Sequence, residues 1–81
     1  MTVWLIEKVE DYECNSVAEI HAIRETAIKA AKRIAKEWTD SDLKLLPSTG
    51  WAVVEDTQGK FELSLTDWPY HVRAYEMEVR A

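Results

Sequence analysis

The sequence predicts an α+β domain in which one amphipathic helix packs on a mainly antiparallel sheet, in the order β-β-α-β-β-β. Three observations predict it. A single stretch, Arg24 to Trp38, carries its apolar residues at helical spacing. The segments on either side of it alternate apolar with polar residues or are rich in β-branched and aromatic side chains, the patterns of strands. The 81 residues leave room for one hydrophobic core, so residues 1–81 form a single domain, with no internal repeat or low-complexity tract.

The opening Thr2-Val3-Trp4-Leu5-Ile6-Glu7-Lys8-Val9 is apolar on both faces of its first half and reads as a central strand. Acidic and polar residues from Glu10 to Ser16 form a turn. Val17 to Ala22, with Ala18, Ile20 and Ala22 on one face, then completes a first hairpin.

From Arg24 the period changes. Ala27, Ala31, Ile34 and Trp38 define a core stripe, supported by Ala30 and flanked by Ile28 and Ala35. The other side carries Lys29, Lys32, Arg33 and Lys36, and Glu25 stands four residues before Lys29 in the favourable order for a helical ion pair. No Ser, Thr, Asp or Asn at 21–23 offers an N-cap. Thr39-Asp40-Ser41-Asp42 continue a helix poorly, and Pro47-Ser48-Thr49-Gly50 break it, leaving a linker whose Leu43, Leu45 and Leu46 are expected to pack on the core.

Trp51 to Glu55 and Lys60 to Thr66 read as two strands about a turn at Asp56-Thr57-Gln58-Gly59, where Gly59 is free to take a positive φ. In the second, Phe61, Leu63 and Leu65 face one way and Lys60, Glu62, Ser64 and Thr66 the other. Trp68-Pro69 interrupts, and Tyr70 to Arg80 forms the last strand. There Tyr75, Met77 and Val79 alternate with Glu76 and Glu78, whereas Val72 and Ala74 fall out of phase, which a bulge near Arg73 would reconcile.

Hydrophobic residues at 47% and charged residues at 31% give a globular balance rather than a disordered one. The net charge of -5 opposes broad affinity for nucleic-acid phosphates or anionic membranes and favours basic partners. A lone cysteine, Cys14, permits no internal disulfide, and the run Val3 to Ile6 is too short for a signal sequence or a membrane span. A cytoplasmic protein is expected. The charge is also unevenly placed: residues 23–38 carry five cations and two carboxylates, and the rest of the chain is acidic.

Val3-Trp4-Leu5-Ile6 followed by Asp11-Tyr12-Glu13, the Ala- and Lys-rich helix and the closing Tyr75-Glu76-Met77-Glu78-Val79 resemble small uncharacterised β-β-α-β domains of bacteria and their phages. The resemblance covers residues 2–38 and 70–79, and the hairpin at 51–66 departs from the shortest such domains. It implies the fold, and by analogy an inhibitor of host machinery of the anti-CRISPR kind, acting in the host bacterial cell.

Chemical motifs are sparse. A metal site would have to assemble Cys14, His21, His71 and a carboxylate without CxxC, HxH or HExxH spacing, and the same residues lack an orienting group or an oxyanion-binding glycine cluster for nucleophilic work. Two glycines do not make a phosphate-cradling loop. Glu76 and Glu78 lie about 7 Å apart on one strand face, as an acid and base pair can, but a small acidic protein offers little depth to shift their pKa values. No cofactor, no metal and no catalytic residue is expected.

Four Trp and three Tyr exceed what one small core absorbs. Trp4 and Trp38 suit inner faces. Tyr12 among Glu10, Asp11 and Glu13, and Trp68 and Tyr70 with Glu76 and Glu78, are the two candidate partner-binding patches, since aromatics anchor interfaces while carboxylates steer toward Lys and Arg. The expectation is a non-enzymatic binding protein that inhibits a host protein, or a nucleic-acid-binding defence complex, by occupying a basic surface without touching nucleic acid itself. The alternative is a homodimeric assembly or regulatory subunit that uses the open sheet face, and a small enzyme is third.

Overall fold

The computed structural model describes residues 1–10, 15–40, 50–65 and 70–79. The β-rich opening forms β1 (Thr2–Glu10), followed by β2 (Ser16–His21), α1 (Arg24–Trp38), β3 (Trp51–Asp56), β4 (Lys60–Leu65) and β5 (Tyr70–Glu78), the α+β order the sequence predicts. The five strands form one antiparallel sheet in the order β2-β1-β5-β4-β3.

α1 lies across one face of this sheet, and its apolar stripe explains how. Ala27, Ala30, Ala31, Ile34, Ala35 and Trp38 are buried, whereas Lys29, Lys32, Arg33 and Lys36 are exposed. The four alanines keep that stripe flat enough for close approach to the sheet. Beneath it lie Trp4 and Ile6 of β1, Val72 and Ala74 of β5, and Phe61 and Leu63 of β4. Burying each large aliphatic contributes about 1.5–3 kcal/mol, so this layer is the main source of stability. At the end of α1, Trp38 meets Tyr70 edge-on at 5.3 Å and Trp51 at 5.9 Å, while the Lys8 ammonium sits 4.8 Å from the Trp38 ring centroid.

With no side-chain cap at Ile23, the start of α1 is held by Arg24, whose guanidinium binds the Asp56 carboxylate and the Thr57 carbonyl across the β3–β4 turn. At the other end the Thr39 hydroxyl donates to the Ala35 carbonyl at 2.9 Å and accepts the Trp51 indole N–H at 2.7 Å, tying the helix to β3. The expected Glu25 and Lys29 pair is not formed. The i,i+4 pairs that form are Arg33 with Glu37 at 3.7 Å and Lys36 with Asp40 at 3.6 Å, toward the helix C-terminus, where cations interact best with the helix dipole.

Two further expectations are corrected. β5 has no bulge near Arg73, because its register with β1 runs unbroken from Thr2 opposite Glu78 to Glu10 opposite Tyr70. Val72 and Ala74 face the helix, and Tyr75 and Met77 face the other side of the sheet. A strand in the middle of a sheet is apolar on both faces, which is why the two phases overlap in the sequence. The irregularities fall instead in the edge strands, where Ala18 of β2 and Val54 of β3 are the extra residues. Bulges there blunt edges that would otherwise template pairing. Gly59 does not take a positive φ. The β3–β4 turn is closed by the Thr57 N–H on the Lys60 carbonyl at 2.8 Å, and the Gly59 carbonyl accepts the Glu76 N–H at 3.0 Å. The linker leucines Leu43, Leu45 and Leu46 lie outside the described residues. No described helix is long and apolar enough to cross a membrane.

Candidate functional site

Asp11, Tyr12, Glu13 and Trp68, like Cys14, lie outside the described residues. The other four candidates divide. Glu10 and Tyr70 are partners across β1 and β5 and both are half-buried, Tyr70 because its ring packs against Trp38. Glu76 and Glu78 are exposed near the other end of β5. Six residues of strand, about 20 Å, separate Tyr70 from Glu76, so these do not make one patch. Tyr70 serves the core in this arrangement, and the carboxylate pair stands by itself.

His21 and His71 are not brought together. His21 lies on the helix side of β2, with Nε2 2.8 Å from Glu19, and Glu19 also binds Arg33. The hydrogen bond from Arg33, and then that from His21, hold the Glu19 carboxyl below the usual range despite a small opposing effect of burial. His71 lies on the opposite face of the sheet, beside Glu62. No three His, Cys, Asp or Glu side chains converge among the described residues.

Residues left over from the core define the face of the sheet that α1 does not cover. Its polar half centres on Glu62, which accepts from Arg73 Nε at 3.0 Å and lies 3.5 Å from Lys60 Nζ and 3.6 Å from His71 Nδ1. Lys60 also reaches Glu55 at 3.3 Å, and the Tyr75 hydroxyl donates to Glu7, which with burial raises the Tyr75 pKa. These contacts tie β1, β3, β4 and β5 to one another side by side.

The other half of that face is apolar. In register, Ile20 of β2 lies opposite Leu5 of β1, Leu5 opposite Tyr75 of β5, and Val3 opposite Met77. All five side chains therefore share one surface on three adjacent strands. Ile20 is 64% exposed and Met77 43%, with Val3 and Leu5 half-buried between them. Glu76 and Glu78 flank Met77 in sequence and lie on the reverse side of the same strand end. The sequence hid this patch for a physical reason: apolar residues at Val3, Leu5 and Ile20 read as ordinary strand interior until the register places them on the uncovered side. The one local signal was the apolar character of both faces of β1.

No protein-family model, curated protein or solved structure matches the chain.

Proposed function

We propose that the chain is a non-enzymatic binding protein whose working surface is the uncovered sheet corner of Val3, Leu5, Ile20 and Met77, with Glu76 and Glu78 at its margin. One observation carries this reading: Ile20 of β2 and Met77 of β5 are exposed, with Val3 and Leu5 of β1 half-buried between them, on a face that no described element covers. Contiguous exposed apolar surface beside polar groups is what protein interfaces offer, and nearby carboxylates speed encounter with a basic partner. The partner is then a host protein with a basic surface, and inhibition or modulation follows from occupying that surface. The resemblance of residues 2–38 and 70–79 to small phage domains favours an inhibitor, including one directed at a nucleic-acid-binding defence complex.

Comparative affinity capture from bacterial lysate tests this reading. The bait is the parent chain, the Ile20→Asp and Met77→Asp double variant, or the Glu76→Lys and Glu78→Lys double variant. A specific protein recovered by the parent should be lost with the first and reduced with the second, while circular dichroism shows all three folded. Equal recovery by all three overturns the reading. Dimerisation of the parent on light scattering, abolished by the Ile20 and Met77 changes, makes the same corner a homodimer interface instead.

A further inference from the structure

A second surface lies on the helix side of the sheet, where α1 and β3 leave a groove of about 380 Å³. Its walls are apolar: Ala35 from the helix, Trp51 and Val53 from β3, and Leu63 from β4. The Trp51 indole N–H is already committed to Thr39, so the ring has no free hydrogen-bonding edge to offer a ligand. Val53 is 54% exposed, an edge-strand valine with no described side chain over it. Lys32 and Lys36 form the rim, with Thr39 and Asp40 at its end.

We propose that this groove binds an acidic segment of a partner protein, which inserts one aromatic or large aliphatic side chain between Trp51, Val53 and Leu63. Charge and size select this occupant. Lys29, Lys32 and Lys36 follow one line along α1 at i, i+3 and i+7, about 10 Å in length. Among the described residues neither Lys29 nor Lys32 has a carboxylate within ion-pair distance, and Lys36 meets only Asp40, at 3.6 Å. A cationic line of that length matches several carboxylates on an extended chain rather than the single acid group of a small molecule. The volume lies near the lower limit of ligand pockets, about 300–1,000 Å³, and suits one anchoring side chain. The bulge at Val54 breaks the regular edge of β3, so side-chain insertion rather than strand addition supplies the contact. This site is on the other side of the sheet from the proposed Ile20 and Met77 corner, so either stands without the other.

The test probes the full chain against an array of ten-residue peptides with Phe, Trp or Leu at the centre, flanked by Asp and Glu, by Lys and Arg, or by Ser. Acid-flanked peptides should be retained selectively. The Lys29→Glu and Lys32→Glu double variant, and separately Val53→Asp, should each lose about tenfold or more in affinity, and added salt should weaken the parent. Val17→Ser, at an exposed position of β2 away from the groove, serves as the control and should bind as the parent does. Absence of acid selectivity, or selectivity that survives both sets of changes, overturns the proposal. So does a single-stranded oligonucleotide that displaces the peptides and depends on the lysines but not on Val53. Peptide binding that appears only after Leu43, Leu45 and Leu46 are all changed to Ser also overturns it, assigning the groove to the chain itself.

Discussion

At the scale of single residues, Ile34 and Glu19 illustrate two different kinds of constraint. Ile34 is 7% exposed in the middle of the α1 stripe, among core residues and with no buried polar side chain in the described core to receive a charge. Ile34→Asp should cost at least about 3 kcal/mol. An 81-residue domain has only about 4–12 kcal/mol in total, at 0.05–0.15 per residue. Urea denaturation should show a variant that is largely unfolded or close to it, whereas Lys29→Gln, on the exposed side, should remain within about 0.5 kcal/mol of the parent.

Glu19 carries a pH-dependent contribution whose sign follows from its partners. Arg33, then His21, lower its folded-state pKa below the ordinary glutamate range. Its ionised form therefore stabilises the fold fully above the pKa of the unfolded chain and loses the contribution as pH falls through the lowered folded-state value. The urea midpoint of Glu19→Gln should lie below that of the parent at neutral pH, and the two should converge as the pH is taken below 4. A constant gap across that range assigns the effect of the substitution to something other than ionisation.

At the scale of elements, local periodicity was enough to read α1, because about four turns of one pattern repeat the same information. Both of its faces follow from Ala27, Ala31, Ile34 and Trp38, and its end from the poor helix formers after Trp38, whereas no cap residue at 21–23 marks its start. The strands were legible in order but not in every phase. β5 is the middle strand, so Val72 and Ala74 on one side and Tyr75 and Met77 on the other each look like a core set, and only pairing with β1 decides between them. The same limit governs the candidate surface. Glu76 and Glu78 were visible as exposed carboxylates, but the Ile20, Leu5 and Tyr75 row depends on two strand registers that no short window contains. Tyr70 next to Pro69 reads as a turn aromatic until it meets Trp38, thirty-two residues earlier in the chain. Edge bulges at Ala18 and Val54 leave no local trace, since alanine and valine are ordinary strand residues.

At the scale of the molecule, charge divides between the helix and the rest of the chain. α1 carries five cations against two carboxylates, leaving five cations and thirteen carboxylates for the remainder. The helix side of the sheet presents a cationic line beside an apolar groove, with Glu76 and Glu78 at the far end of β5, and the reverse side presents apolar side chains around Met77. A chain with separate surfaces on two sides can contact two partners at once, or one partner through either side. The claim that the uncovered sheet corner is the working surface is tested most directly by methyl chemical shifts of the labelled chain, recorded with and without the protein it captures from lysate. The methyl groups of Leu5, Ile20 and Met77 should shift or broaden on binding while that of the core residue Ile34 should not. Perturbation confined to residues around α1 and Val53, with Leu5, Ile20 and Met77 unchanged, would contradict it.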